Sequence, residues 1–492
     1  VKVVIIGGGI SGLSVAYYLE KYGAEHAPSI TILEQADVLG GKMQTLHLHD
    51  MVIERGPDSF LARKQEMLDL IEELGMSEQL VSTNPAAKQV FVATNEKLVP
   101  LPLGLKLAIP TNVREIYKTP LLNVWQKLRV LADLILAKSV QANDGELDQS
   151  LGWLLRRRFG DAFVNQIAEP ILAGIYAGQI DEISARATFP QFLQMAHQHR
   201  SLIRGAQQTE TSVEQRNRAV QGMFLTLHNG FQSLTDALRN RLNHTEVRLN
   251  SKLIGVERFA RYENEEARSN ARYRLQLADQ SHLDADLVVF TSITEPIVRG
   301  LTQALIDTSV PQQVMLGIPE QISVANLVLV YDAAQFQEKL TGTGFLVPRA
   351  LNKLITACTW TSTKWPHTAP ADRVILRVYI GRKGQMEWQN YTESQLLERA
   401  IGELRMWMNI PQQLIHHELN VWNQSMPQYK VGHLTWMKQF REWSNFHFPE
   451  IYWTGASFAG VGLPDCVRQA RDLAKQIAHI AKKNVRHHGE RF

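Results

Sequence analysis

Three glycines, Gly7, Gly9 and Gly12, stand at G-x-G-x-x-G spacing in "VVIIGGGISG", directly after an apolar run and directly before a helical stretch that reaches about Tyr22. Residues so spaced can cradle a pyrophosphate. Gly7 permits the tight turn, Gly9 lets a phosphate approach the backbone, and Gly12 allows a helix to pack closely on a strand, while the helix N-terminus stabilises the phosphate charge. Ala16 and Gly23 lie on that helix, and Glu34, 22 residues past Gly12, ends the next apolar strand, where a carboxylate can hold a ribose hydroxyl pair. Directly afterwards come Gly40, Gly41 and Lys42, then the Gly-Pro turn of "IERGPDSF" (53–60). A simple nicotinamide site has no use for this extra backbone, whereas a flavin needs it along its ribityl chain and ring.

A second stretch raises a question. "EPILAGIYAGQID" (169–181) packs Gly174, Ala177 and Gly178 around Ile175 and Tyr176 in an apolar segment. Either a helix crosses closely here, or a large flat ligand lies against the backbone; the segment alone leaves both readings open. Near the other end, "IYWTGASFAGVGLPDCVRQA" (451–470) reads as strand, Gly-rich turn and a helix opening at Pro464 and Asp465. Pro suits the first helical turn, and the helix dipole would point positive charge at a reduced flavin's N1 edge. The histidines at 197, 199, 416, 417, 487 and 488 lack ligand spacing, so no metal site is expected. Arg156, Arg157 and Arg158 read as a solvated helix face. Cys466 reads as a small packing residue near the flavin, since no partner cysteine is evident.

These residues need a scaffold, and 492 of them exceed one compact core, so two or three domains are expected. A hydrophobic fraction of 45% with 21% charge excludes disorder and collagen-like repeats, and a net charge of +3 without a basic aromatic stripe gives no reason to expect nucleic acid. Two distant cysteines, Cys358 and Cys466, offer neither a disulfide framework nor a zinc cluster, and a reducing cytosol fits them. The chain opens directly on a strand, which leaves no room for a signal peptide unless one was removed.

No run reaches the roughly 18 apolar residues of a membrane span. Residues 120–140 instead predict an amphipathic helix, with Leu121, Val124, Leu128, Leu131 and Ile135 on an apolar face buried in the protein. The pattern is helical from about 57 to 205, and residues 206–220 read as a polar mobile loop. Strands are expected within 246–290 and at 325–331, 374–381 and 450 onward, with helices at 393–409 and to about 483. The tail after that reads as solvated.

The chain resembles the oxygen-dependent porphyrinogen oxidases of the FAD-binding amine oxidase superfamily, specifically the Gram-positive bacterial type that acts on coproporphyrinogen III or protoporphyrinogen IX. The resemblance runs from Val3 to about Ala481 and is carried by "GPDSFLARK", "EPILAGIYAGQID", "TFPQF", "ACTWTSTKWPH", "WNQSMPQY" and "TGASFAGVGLPDC". Lys42 stands where many members of the superfamily carry Arg. The resemblance implies an α/β fold with a Rossmann-like FAD-binding domain of para-hydroxybenzoate hydroxylase type, assembled from 1–85, 221–295 and 422–483. A helical domain (86–205), a mixed-sheet substrate-binding domain (296–421) and a tail (484–492) complete the chain. FAD contacts are expected from Gly7, Gly8, Gly9, Ile10, Ser11, Gly12, Glu34, Gly41, Lys42, Gly56, Pro57, Asp58, Ser59, Leu253, Trp422, Gly455, Val461, Gly462 and Leu463.

Lys64 is expected to meet a substrate propionate, Ile175 to supply an apolar contact face, and Tyr379 to be a polar or stacking contact, all three as positioning residues. The implied reaction passes a hydride from a bridging methylene carbon to the flavin while a pyrrole N–H proton is lost. Three two-electron rounds with O2 then give the porphyrin and hydrogen peroxide. Coproporphyrinogen III is the favoured substrate and protoporphyrinogen IX the alternative. A transient handover to the next haem-pathway enzyme, a cytoplasmic location and at most peripheral membrane contact are also expected. An amine oxidase or polyene desaturase of the same superfamily, and a non-catalytic flavin-bound porphyrin carrier, stay open beside this reading.

Overall fold

The structure, a computed structural model, describes residues 1–23, 28–136, 148–208, 223–258, 272–305 and 310–489. Apolar, β-branched runs set its first sheet. The strand Lys2–Ile6 pairs in parallel with Ser29–Leu33 on one side and Leu287–Phe290 on the other, and Thr245–Arg248 and Ile451–Trp453 complete five parallel strands at the two edges. Both faces are covered, as continuous apolar strands require. The helix Ile10–Gly23 packs against the last helix, Leu463–Gly489, and the core between them includes Leu13, Val15, Val467 and Ala470. An antiparallel meander, Leu253–Arg258, Tyr273–Leu277 and His282–Ala285, borders the other face.

The second sheet has seven strands, in the order His416–Pro427, Gln321–Asp332, Arg373–Ile380, Ile355–Trp360, Gly342–Leu346, Gln89–Ala93 and Leu98–Pro100. It is antiparallel except where Gly342–Leu346 runs parallel to Gln89–Ala93. Residues 89–100 therefore belong to this sheet and not to the helical segment expected from 86, and further short strands occur at Phe60–Leu61, Leu80–Ser82, Leu105–Lys106 and Ile109–Pro110. Their apolar residues sit two apart as often as three or four, and pairing across the sheet decides between the periods.

A helical layer follows, with its own core around Leu154, Phe163, Ile167 and Phe192. Two expectations fail here. The helix expected at 120–140 is shorter: Val124–Leu131 is followed by a single 3₁₀ turn, Ala132–Leu134, and 137–140 lie outside the described residues. Its apolar face is buried only at Leu121, with Leu131 half-buried. Val124, Trp125, Leu128 and Ile135 are exposed, and within Val124–Leu131 only Val130 enters the core. The arginine triplet is not a solvated face either. Arg158 is fully buried and pairs at 3.3 Å with the equally buried Asp133, while Arg156 binds Asp181 and Asp161 and only Arg157 is exposed. Most of the loop expected at 206–220 lies outside the described residues; the helix Leu202–Gln208 covers its start. At the chain's end the last helix continues to Gly489 through most of the expected tail.

Candidate functional site

The first turn is built as its glycines imply. Gly7 has φ +106°, its N–H donates to Leu33 O at 2.8 Å, and a Cβ there would lie 2.3 Å from Thr291 Oγ1. The C-terminal turn meets the same threonine from the other side, since Gly455, at φ +103°, would place a Cβ 2.1 Å from Thr291 O. Thus "GGGISG" and "TGASFAG" flank Thr291 at the carboxyl ends of two parallel strands, Lys2–Ile6 and Ile451–Trp453, that sit on either side of Leu287–Phe290, where open α/β sheets bind ligands. Gly40 adds a third loop, its N–H donating to Gly8 O at 2.9 Å. Gly56 adds a fourth, so close to Lys42 O that a Cβ would meet it at 1.7 Å.

Side chains around these loops suit a dinucleotide. Glu34 is buried; its carboxylate accepts from Gly8 N–H at 2.7 Å and Ala36 N–H at 2.9 Å, and its remaining lone pairs suit hydroxyl donors. Ser251 N–H donates to Glu34 O at 2.8 Å, which brings Leu253 to the same end. Ile10 and Ser11 are buried in the first helical turn, and Ser59 donates to Asp58 at 2.8 Å. Lys42 is the one cation on the Gly40–Lys42 turn. It lies deep in the fold yet keeps an accessible side chain, as expected of a cleft wall, and desolvation lowers its pKa. It donates to Ser425 O and has no carboxylate partner among the described ion pairs. An accessible cation deep in the protein beside glycine-built loops fits a flavin dinucleotide with its pyrophosphate.

The "ERGPDS" loop is held by the seven-stranded sheet. Register places Ala357, Tyr379, Asn326 and Asn420 in one cross-strand row and Thr359, Arg377, Val328 and Glu418 in the next, on the same face because side chains alternate. That face grips the loop: Asn326 Nδ2 donates to Arg55 O at 2.6 Å, Trp422 Nε1 to the same oxygen at 2.9 Å, and Arg377 to Gly56 O. Arg55 pairs with Glu418 at 2.5 Å and Asp58 with Lys364 at 3.3 Å. Lys364 and Arg377 together hold Asp58 down to about 2 against the opposing effect of burial, whereas burial pushes Glu54 up to about 7. Tyr379 lies 5.2 Å under the Arg377 guanidinium, and burial pushes its hydroxyl up to about 12, so it stays protonated.

The small-residue segment resolves into two halves. Glu169–Tyr176 is helical, and a Cβ on Gly174 would meet nothing within 4 Å, while Ile175 is 44% exposed. Gly178 is packed, its Cβ position lying 2.5 Å from Gln428 Oε1 and 2.8 Å from Ile183 Cδ1. Close packing of non-helical chain, and not a helix crossing, therefore accounts for Gly178, and nothing packed accounts for Gly174. The carbonyls after the helix are all anchored: Tyr176 O accepts from Gln428 Nε2 at 2.7 Å, Ala177 O from Lys383 N–H at 2.8 Å, and Gly178 O from Arg349 Nη2 at 2.8 Å. The open Gly174–Ile175 face is thus held rigidly.

Lys64 is already paired, its Nζ 2.5 Å from Asp465 in the first turn of the last helix. Glu66–Arg468 and Asp69–Arg471 continue the ladder between the helix Gln65–Glu73 and the last helix. Gly462 and Leu463 border that helix start, with a Gly462 Cβ 3.0 Å from Asp465 Oδ2, and Val461 packs against the helical core. Cys466 is buried, and burial raises its thiol to about 11, which keeps it protonated and inert. Sequence reasoning gave Asp465 a place at the helix opening but no partner, and missed Asn326, Arg377, Gln428 and Tyr429; the last two sit in "WNQSMPQY", where only Trp422 was assigned a role.

Comparison with known proteins agrees with this geometry. A model of the family described as flavin containing amine oxidoreductase matches residues 10–478. The coproporphyrinogen III oxidase of Bacillus subtilis (strain 168) is 38% identical over 473 residues, 95% of this chain and 96% of that protein. That of Staphylococcus aureus (strain NCTC 8325 / PS 47) is 32% identical over 97% of this chain and 98% of its own. A crystal structure from Exiguobacterium sp. 255-15, assigned provisionally as a protoporphyrinogen oxidase, superposes with a TM-score of 0.83 at 35% identity, covering 97% of this chain and 98% of that one.

Proposed function

We propose that this chain, which belongs to the flavin containing amine oxidoreductase family, is an FAD-dependent oxidase that converts coproporphyrinogen III to coproporphyrin III, a six-electron oxidation with O2 as acceptor and hydrogen peroxide as by-product. The observation that carries the substrate is the near-full-length 38% identity to a coproporphyrinogen III oxidase. The open Gly174–Ile175 face supports it, since a flat macrocycle can lie on a backbone that carries no side chain there. A protoporphyrinogen IX oxidase is the second reading, favoured by the Exiguobacterium structure.

Bound flavin supplies the acceptor for a hydride leaving a methylene bridge of the macrocycle. The protein's part is to hold that carbon in place and exclude water, because aromatisation supplies much of the driving force. Ile175 offers the apolar contact and Tyr379 a neutral hydroxyl. Lys64 meets a propionate by exchanging Asp465 for the substrate carboxylate. No side chain need act as an indispensable base. Glu34 holds the ribose, Lys42 the pyrophosphate side, and the glycines of the four loops the rest of FAD.

On this reading the FAD-binding part is of para-hydroxybenzoate hydroxylase type and takes in 1–85, 221–295 and 422–483, with residues 89–100 counted with the substrate-binding sheet. No described helix is long and apolar enough to cross a membrane. We read the protein as cytoplasmic with peripheral membrane contact through the exposed Val124, Trp125, Leu128 and Ile135 beside Lys118 and Lys127, and with transient handover of product to the next haem-pathway enzyme. The test of function is steady turnover: coproporphyrinogen III consumed with three equivalents of peroxide supports an oxidase. Tight porphyrin binding without peroxide would make the protein a carrier, and turnover of an amine or a polyene alone would move it to another branch of the family.

A further inference from the structure

One segment touches three of the site's four loops and the 174–178 segment as well. Trp422 Nε1 binds Arg55 O, Ser425 O receives Lys42 Nζ, Gln428 Nε2 binds Tyr176 O, and Tyr429 reaches the C-terminal turn. Tyr429 is fully buried and makes both hydrogen bonds a phenol allows. Its Oη donates to Ala456 O at 2.5 Å and accepts from Gly460 N–H at 2.9 Å, so one oxygen closes the turn "ASFAG" at both ends. The ring lies parallel to His433 at 4.1 Å, whose Nε2 bonds Phe458 O within the same turn, and its other flank meets Tyr176 at 5.7 Å. Ser184 N–H donates to Tyr429 O at 2.8 Å, tying the strap to the chain beyond Gly178.

We infer that residues 422–433 are a strap that sets the spacing between the flavin-facing turn 455–460 and the substrate-facing segment 174–178, with Tyr429 and Gln428 as positioning residues, one for each side. The physical reason is the cost of error. A turn containing positive-φ glycines at 455 and 460 has several accessible shapes, and a single buried oxygen that satisfies both a carbonyl and an amide selects one. Gln428 does the same for the carbonyl that ends the Glu169–Tyr176 helix while filling the space against Gly178. Because the two residues are consecutive, a shift of the turn is passed to the segment across one peptide unit.

The inference rests on the flavin oxidase reading, and the experiment separates the two. Wild-type, Tyr429→Phe and Gln428→Leu proteins are loaded with FAD, and flavin release is followed by fluorescence on dilution. Porphyrinogen KM and kcat are measured on the loaded protein, and Tyr331→Phe, a buried tyrosine of the seven-stranded sheet whose hydroxyl has no hydrogen-bond partner among the described residues, serves as control. Tyr429→Phe leaves Gly460 N–H and Ala456 O unpaired and should weaken FAD binding roughly ten-fold or more. Gln428→Leu should raise KM several-fold with FAD retention unchanged, and Tyr331→Phe should change neither. Lower thermal stability with wild-type FAD affinity and KM in the folded fraction of both variants would overturn the strap. A wild-type protein that holds no FAD would instead overturn the parent reading. Hydrogen exchange on the wild type supplies a check free of folding defects: the Gly460 amide should be protected with and without FAD, and rapid exchange in both states contradicts the inference.

Discussion

Replacing Gly174 discriminates between packing and ligand contact at the site's most open position. A Cβ at Gly174 meets no atom within 4 Å, and the residue lies inside the helix Glu169–Tyr176. Gly174→Ala should therefore stabilise the protein, by about 0.5–1 kcal/mol, the intrinsic helical preference of alanine over glycine. Gly178→Ala, by contrast, drives a methyl to 2.5 Å from Gln428 Oε1 and 2.8 Å from Ile183 Cδ1, and should cost about 1–3 kcal/mol as overpacking does. Activity should run the other way. If the macrocycle lies over Gly174, then Gly174→Leu projects its side chain into that volume and kcat/KM for the porphyrinogen falls by roughly ten-fold or more, about 1.4 kcal/mol of lost transition-state binding, while FAD stays bound. Thermal unfolding and steady-state kinetics on the three variants read both effects. A folded Gly174→Leu with wild-type kcat/KM would show that the face is not used, and a destabilised Gly174→Ala would show packing there after all.

Three other outcomes follow from named contacts. Lys64→Ala should raise KM for coproporphyrinogen III roughly five-fold, about 1 kcal/mol, with a smaller loss in kcat; Asp465→Asn, which frees the ammonium, should lower KM, and unchanged KM in both would remove Lys64 from substrate binding. Burial holds Glu54 up to about 7, above its ordinary value of 4.5, so between those pH values the folded chain keeps a proton that the unfolded chain loses, and stability falls as pH rises through this window, by on the order of 3 kcal/mol. Glu54→Gln should shrink the drop in unfolding midpoint between pH 5 and pH 8, and an unaltered drop would place the titration elsewhere. Sedimentation with vesicles containing anionic lipid should capture the wild type, and Trp125→Ser with Leu128→Ser should abolish capture; equal recovery of both proteins in the supernatant would end the membrane reading.

Legibility in the sequence followed the range of the interactions. The Gly7–Gly12 turn, Glu34 and the opening of the last helix at Pro464 are local, each carried by a few consecutive residues, and the structure puts them together. The polar face of Asn326, Arg377, Tyr379 and Glu418 is a product of register between strands distant in sequence, which no single strand reveals. Arg158 looked solvated because charge runs are mostly exposed; Asp133, 25 residues earlier, decides otherwise. An amphipathic pattern at 120–140 states that one face is apolar and not what covers it, so Val124 and Leu128 read as buried although they are exposed. The segment 169–181 needed its glycines for two separate reasons that spacing alone does not separate: Gly178 packs against Ile183 outside any helix, and Gly174 faces open space.

The most direct test of the central claim is anaerobic flavin bleaching with the two porphyrinogens. The purified protein, loaded with FAD and mixed without oxygen, should lose its visible flavin absorbance on addition of coproporphyrinogen III, faster than with protoporphyrinogen IX. Added salt should narrow the difference by screening the extra propionates, and readmitting oxygen should restore the colour with release of peroxide. Flavin that stays oxidised with coproporphyrinogen III, while protoporphyrinogen IX or an amine bleaches it, would contradict the substrate assigned to this chain.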